Sequence, residues 1–426
     1  MTVDFPYPGY EGIAPVEIPD ANLLGVFTPR AVTDVDEEAI LARAMANPIE
    51  APLLRNATRP ADRVLILVDD HTRGTPVPRV LEYVVTELNA AGVADARINL
   101  LTAQGSHRRM TDAELREKLG VFYGRFAIHQ HDWVDEDSLQ DFGRTADGTP
   151  VRANRLLAAA DFVLGIGSIV PHRIKGFSGG AKIAFPGVAG PEIQARNQWE
   201  AAQSSSAAVM GTAANSMRQR IEEAARLVGL RYIVNVVTDR ERRVVGCFVG
   251  DPIAAHRAGC RLSAEVNEVR LPQRADIVVA DSHPADRDLW QSAKGFYAGD
   301  IGVRDGGTLI VVSPNPEGVA DRHPIVLGLG YRPFAEIAGL VNAGAVDDVV
   351  GAAVLADLAQ IVDRVDCILV SPGIPCDQTA RLGLRHAPTA QDALTMAFEK
   401  QGSAARVALL RYGGRILPRV GDDERS

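Results

Sequence analysis

The chain has 426 residues with ordinary globular composition (46% hydrophobic, 23% charged) and a formal net charge of −9. This length exceeds what a single hydrophobic core usually serves, which predicts two domains. The acidic balance argues against nucleic acid as the main partner, because phosphate binding requires a basic surface. The four cysteines form no CxxC pair, which argues against a disulfide framework or a cysteine zinc site. We expect a cytoplasmic protein with no signal peptide and no membrane span, because the apolar runs are too short.

Apolar runs of strand length alternate along the chain with stretches of helical spacing. Strands are predicted over 63–70, 96–103, 161–168, 231–239, 275–282, 306–315 and 366–373. Helices are predicted over 36–47, 78–92, 110–120, 215–229, 286–294, 333–343 and 354–363. Thr111 with Glu114 three residues later forms a capping box. The alternation predicts an α/β fold of mostly parallel sheets flanked by helices.

A domain boundary is expected near residue 270. Residues 1–270 would form an N-terminal α/β domain, and residues 271–426 a C-terminal α/β domain that closes a cleft over it. We expect the active site in that inter-domain cleft.

Polar residues cluster where the predicted strands end. In open parallel sheets, ligands bind in the crevice outside these carboxyl ends. The clusters are Asp69–Arg73, Gly105–Arg109, Pro171–His172 and Ser178–Lys182, and Trp290–Lys294 follows a later strand.

Each cluster alone also has a structural interpretation. Asp70 and Arg73 can be a charge pair in a turn, and His107 or His172 can serve only loop backbone. GFSGGAK lacks the Walker spacing, and GIGSIV (165–170) lacks the third glycine of a dinucleotide fingerprint. His129 and His131 are interpreted as solvated loop residues rather than a metal pair.

Four motifs taken together resemble the signature blocks of the nickel-pincer-nucleotide lactate racemase family. They are DDHTRGTP (69–76), GSHRRMTDAEL (105–115), GSIVPHRIKGFSGGAKIAFPGVAG (167–190) and QSAKGF (291–296). The resemblance extends from about residue 60 to 320.

The resemblance implies a role for each matching residue. Lys182 would carry the covalently bound cofactor, the nickel complex of pyridinium-3,5-bisthiocarboxylic acid mononucleotide. His107 and His172 would act as alternate general acid and base on opposite faces of the substrate. Further cofactor-binding positions are Asp70, Thr72, Gly179 and Gly180, and substrate-binding positions are Arg73, Gln291, Lys294 and Trp290.

One position departs from the family pattern. Where the family has a histidine nickel ligand, sixteen residues after the cofactor lysine, this chain has Gln198. A neutral amide oxygen is a weaker donor for nickel than imidazole. Gln198 could ligate weakly, another group could bind the nickel, or nickel chemistry could be lost.

The resemblance implies a 2-hydroxy acid racemase or epimerase that works by proton-coupled hydride transfer to the nickel cofactor. Histidine suits the proton transfers because its pKa lies near the working pH. The expected partners are a small 2-hydroxy acid and the enzymes that assemble the cofactor. Two alternatives remain: a nicotinamide-dependent dehydrogenase, which the missing glycine fingerprint disfavours, and a non-catalytic homologue that binds a nucleotide or hydroxy acid.

Overall fold

The computed structural model describes residues 1–7, 10 and 13–421. The helices are α1 (Glu37–Ala46), α2 (Leu54–Ala57), α3 (Val77–Ala90), α4 (Asp112–Leu119), α5 (Leu156–Ala159), α6 (Pro191–Ala201), α7 (Ser206–Val209), α8 (Ser216–Leu227), α9 (Ala254–Asn267), α10 (Leu289–Gly302), α11 (Ile325–Leu329), α12 (Phe334–Asn342), α13 (Val349–Arg364), α14 (Cys376–Arg381) and α15 (Ala390–Gln401).

The strands lie between these helices for most of the chain. They are β1 (Thr2–Val3), β2 (Val16–Glu17), β3 (Leu23–Phe27), β4 (Val64–Asp69), β5 (Ile98–Ala103), β6 (Ala127–Gln130), β7 (Leu139–Arg144), β8 (Pro150–Asn154), β9 (Phe162–Ser168), β10 (Pro171–His172), β11 (Gly176–Phe177), β12 (Leu230–Thr238), β13 (Val244–Gly250), β14 (Glu268–Leu271), β15 (Ala275–Asp281), β16 (Val303–Val312), β17 (Asp366–Val370), β18 (Arg385–His386), β19 (Val407–Leu410) and β20 (Leu417–Val420).

The chain groups into two compact units, and neither is one continuous segment. The central unit consists of Ala31–Asn197 and Gly211–Val266. The terminal unit consists of Met1–Arg30, Gln198–Met210 and the chain from Asn267 onward. One change of unit falls inside α6, and another lies at residue 266, close to the boundary that we place at 270. The division into continuous domains 1–270 and 271–426 stays a prediction.

A six-stranded sheet with the order β13-β12-β9-β4-β5-β6 forms the middle of the central unit. All neighbours are parallel except β12 and β13. All six residues of β4 are buried, and the five before Asp69 are apolar, as expected of a parallel strand that has helices on both faces of its sheet. Gly165 on β9 lets the chain over Gly180–Ile183 lie against the sheet, since a Cβ there would be 2.5 Å from Ile183 Cγ2.

The terminal unit is built on a second sheet, with the order β18-β17-β16-β15-β19-β3, in which all neighbouring strands are parallel. The predicted α/β class with mostly parallel sheets is confirmed. In the described part of the chain, no helix is long and apolar enough to cross a membrane.

Candidate functional site

The carboxyl ends of β4, β5 and β9 bring the central-unit candidates to one edge of the sheet. The turn after β4 carries Asp70, Thr72 and Arg73, and the loop after β5 carries His107. The chain after β9 forms the β10–β11 hairpin, which carries His172, and then turns into a 3-10 helix over Gly180–Ile183. These three loops are neighbours because their strands are hydrogen-bonded partners.

Asp70 and His107 lie on neighbouring loops and are in direct contact. The Asp70 Oδ2 atom lies 2.6 Å from His107 Nδ1, and Asp70 is only 1% exposed. The backbone N–H of Thr72 (3.0 Å) and its hydroxyl (2.6 Å) donate to Asp70 Oδ1. Burial alone would raise the pKa of Asp70, but the charge and hydrogen bond of His107, together with Arg73, hold it well below its usual range. Asp70 is therefore an ionised carboxylate that fixes the imidazole.

The Nδ1 atom of His107 contacts a hydrogen-bond acceptor, and the Nδ1 atom of His172 contacts a donor. These contacts assign the tautomers of the two neutral rings. His107 Nδ1 faces a carboxylate and so donates its proton, which leaves the lone pair of the neutral ring on Nε2. The backbone N–H of Ile174 donates to His172 Nδ1 (3.1 Å), so the neutral ring of His172 carries its proton on Nε2. His107 is thus arranged to accept a proton at Nε2 and His172 to donate one.

A buried arginine holds the loop that contains His172 and Lys182. Arg218 is 0% exposed and donates to the carbonyl oxygens of Lys175 (3.3 Å), Phe177 and Gly179 (3.0 Å). Sequence analysis missed this role, although one signal was present. Arg218 lies at helical spacing with the buried Ile221 and Ala225, so it occupies the apolar face of α8.

Lys182 is half-buried in the 3-10 turn, which begins at the second of two consecutive glycines. Gly179 and Gly180 have φ of +74° and +58°, and both are packed closely against protein atoms. A Cβ at Gly179 would lie 2.8 Å from Asn235 Oδ1, and one at Gly180 would lie 2.8 Å from His256 Cγ. The glycines are therefore needed for the turn itself, and their predicted contact with a cofactor stays a prediction.

Asn235 is a second residue that sequence analysis missed. It is fully buried, and its Oδ1 accepts a hydrogen bond from the N–H of Gly180 (2.7 Å). The signal was a polar residue inside the apolar run of β12. Such a residue needs a partner when it is buried.

The terminal-unit candidates lie on the first turns of α10. The side chain of Asp288 caps this helix by accepting from the N–H of Gln291 (2.7 Å). The Lys294 ammonium donates to Gln291 Oε1 (2.9 Å), so these two predicted substrate-binding residues form one polar pair. The Trp290 ring instead stacks on His323, with centroids 4.0 Å apart and planes 7° apart. His323 is held by Asp348 at 2.8 Å from its Nδ1, so the predicted contact of Trp290 with substrate stays a prediction.

Gln198 lies in α6 and is 5% exposed. Its Oε1 atom is buried without a hydrogen-bond partner among the described residues. One turn earlier on the same helix, Gln194 Nε2 donates to Ser106 Oγ (2.9 Å), next to His107. A buried carbonyl oxygen without a donor is costly, and a metal ion is one group that would satisfy it.

The interpretation of His131 as a solvated residue was wrong. His131 is 1% exposed, lies 3.0 Å from the Ala189 carbonyl oxygen through Nε2, and has a pKa lowered to about 4, chiefly by burial. His129 on β6 lies 3.2 Å from Asn99 Oδ1. No set of three or more His, Cys, Asp or Glu residues suited to a metal ion occurs in the described ranges.

Comparison with known proteins identifies the family of this chain. The model of the lactate racemase N-terminal domain matches residues 10–209, and that of the lactate racemase C-terminal domain matches residues 271–417. The lactate racemase of Thermoanaerobacterium thermosaccharolyticum is 30% identical over 325 residues, which cover 74% of this chain and 75% of that protein. The chain belongs to the lactate racemase family. A second lactate racemase, from Lactiplantibacillus plantarum, is 28% identical over 432 residues, 98% of this chain and 99% of its own.

Solved structures agree with membership of the lactate racemase family. Racemases are isomerases, so the chain belongs to that class of enzyme. The lactate racemase apoprotein of Thermoanaerobacterium thermosaccharolyticum aligns with a TM-score of 0.87 and 25% identity, covering 98% of this chain and 100% of that one. A Thermotoga maritima protein aligns with a TM-score of 0.72 and 21% identity, covering 91% and 98%. The second likeness concerns the fold alone.

Proposed function

We propose that this lactate racemase family member inverts the carbinol centre of a 2-hydroxy acid with the nickel pincer nucleotide attached to Lys182. The observation that carries the proposal is the 2.6 Å contact between Asp70 and His107. A buried carboxylate that fixes one imidazole tautomer prepares that ring for proton transfer. Burying its charge costs desolvation free energy that packing alone does not require.

The residues present fit such a cofactor. Lys182 is half-buried on a turn whose backbone is fixed at Gly179 by Arg218 and at Gly180 by Asn235, which gives the lysine a rigid attachment to the protein. In the described ranges, side chains alone supply no three-ligand metal site, so most nickel ligands would come from the organic group. The buried Oε1 of Gln198 can supply one from the protein. When bound, the group supplies the hydride-accepting centre.

The side chains of the chain then perform the proton transfers and the binding. His107 Nε2 takes the hydroxyl proton of one enantiomer while Asp70 stabilises the imidazolium that forms. His172 delivers a proton through Nε2 as the opposite enantiomer is completed. Arg73 binds the substrate carboxylate, and Lys294, whose ammonium is oriented by Gln291, is a second candidate cation for an anionic group of the substrate.

The test is to produce the chain together with cofactor-assembly enzymes and to measure racemisation of a panel of 2-hydroxy acids, starting from each hand. Intact mass should show a mononucleotide-sized adduct that is absent in Lys182→Ala and retained in Lys175→Met, the matched control in the same loop. His107→Ala and His172→Ala should each reduce racemisation by about 10²- to 10⁴-fold.

Three outcomes would contradict the proposal. An adduct-bearing, nickel-containing protein that racemises no acid on the panel would favour the binding-only alternative. Activity that depends on added nicotinamide nucleotide would favour a dehydrogenase. Full activity with unmodified Lys182 would remove the covalent attachment.

A further inference from the structure

One face of α4 contacts both loops that form the Asp70–His107 pair. Glu114 and Lys118 are four residues apart and therefore lie on the same side of this helix. Glu114 reaches the loop after β5, and Lys118 reaches the loop after β4. Neither residue was singled out by sequence analysis for any role beyond the capping box.

The Lys118 contacts are buried and directed at the loop that carries Asp70 and Arg73. Lys118 is 7% exposed, and its ammonium lies 2.6 Å from Asp69 Oδ1 and donates to the Arg73 carbonyl oxygen (2.9 Å). The Thr75 hydroxyl donates to the other oxygen of Asp69. The turn after β4 is thus held at both ends, at Asp69 before Asp70 and at Arg73 after it.

The Glu114 contacts fix the loop that carries His107. Both oxygens of Glu114 accept from Arg108, each at 2.8 Å. Glu114 also closes the capping box by accepting from the Thr111 N–H (2.8 Å). These hydrogen bonds, those of Arg108 first, hold the pKa of Glu114 well below its usual range, so it remains an anion at working pH.

We propose that Glu114 and Lys118 are positioning residues that set the distance between Asp70 and His107, with α4 acting as a rigid clamp between the two loops. The 2.6 Å contact joins residues 37 apart in sequence on separate loops. Each strand holds only the loop that follows it. Because α4 contacts both loops, it limits their movement relative to each other. The inference rests on the proposed function of His107.

The test compares cofactor-loaded variants of α4. Lys118→Met keeps chain length but loses both contacts, and it should lower kcat about 10- to 100-fold, with a smaller change in KM. Lys118→Arg should recover part of the loss, since a guanidinium can serve both acceptors. Glu114→Gln retains the capping box, where glutamine is accepted, but weakens the Arg108 contact, and we expect a loss in the same direction.

The matched control is Arg116→Met on the opposite side of the helix. Arg116 pairs with Asp112 at 2.7 Å, and both side chains are 62% exposed. Such a pair contributes little, so kcat should stay within about twofold.

Because Lys118→Met leaves a buried Asp69 charge and can unfold the chain, the double variant Asp69→Asn/Lys118→Met is the second test. It removes both charges and should still lower kcat. The decisive readout is the ring ¹⁵N signal of His107. In folded variants this signal should lose its Nδ1–H character, and the pH profile of kcat should broaden. A normal His107 signal and kcat in folded protein would overturn the clamp. A normal rate in His107→Ala would instead overturn the proposed function.

Discussion

Replacement of Asp70 by asparagine should invert the tautomer of His107 rather than simply weaken a contact. Two donors, the Thr72 N–H and hydroxyl, point at the same oxygen of Asp70. In Asp70→Asn the amide oxygen stays with these donors, because an NH₂ group there would face two other donors. The amide NH₂ then faces His107 Nδ1 and makes it an acceptor.

The consequence for catalysis follows from the single lone pair of a neutral imidazole. With Nδ1 as acceptor, the proton moves to Nε2, and His107 can no longer take a proton from substrate there. The loss of a positioned base typically costs about 10²- to 10⁴-fold, equivalent to about 3–5 kcal/mol of activation free energy. We expect this loss in kcat, with little change in substrate affinity.

The assay is the initial rate of racemisation from each enantiomer, normalised to nickel and adduct content, with ¹⁵N spectra of the His107 ring. Asp70→Ala is the control, because alanine removes the carboxylate without presenting a donor. The reasoning requires Asp70→Asn to be at least as inactive as Asp70→Ala. An asparagine variant clearly more active than the alanine variant would refute it, and so would an unchanged Nδ1–H signal.

Two other residues give predictions that do not depend on Asp70. Gln198→His should slow nickel loss to a chelator if the buried Oε1 is a ligand, because imidazole is the better donor; equal nickel retention in both proteins would show that Gln198 does not ligate. Burial, with Arg218 and Arg220 nearby, lowers the pKa of Lys175 to about 7. Between about pH 7 and 10 the folded state therefore binds fewer protons than the unfolded chain. The free energy of unfolding consequently rises with pH over that window, by about 4 kcal/mol. Lys175→Met should remove this slope from the free energy of unfolding measured at pH 7 and pH 10, and an identical slope in both proteins would contradict the prediction.

The sequence predicted the elements that bury apolar residues in long runs. The strands β4, β5, β9 and β12 and the helices α3 and α8 appear where periodicity places them. Helix α6 was missed, because PEIQARNQWEA contains little apolar periodicity and gains its stability from tertiary packing. The antiparallel β13 was missed because Gly246 interrupts its apolar run, and β3 and β19 were missed because they have only five and four residues.

In the candidate site, the sequence predicted which loops lie together but not which side chains contact each other across them. The rule that ligands bind at carboxyl strand ends grouped the loops after β4, β5 and β9, and the structure places these loops at one edge of the sheet. It could not predict that the Asp70 carboxylate contacts His107 on the neighbouring loop, or that Lys118 reaches across from α4. Those contacts depend on loop conformations that are set by tertiary packing.

The placement of β3 has a consequence for biosynthesis. This strand pairs in parallel with β19, and the Asn22 amide donates to the Ala405 carbonyl oxygen, 383 residues along the chain. A nascent chain therefore carries β3 without its partner strand until β19 has been synthesised, by which point every strand of the central unit's own sheet is already present. Removal of the first thirty residues would leave β19 as a bare edge with open N–H and C=O groups. We expect such truncated chains to fold their central unit and to associate through that edge.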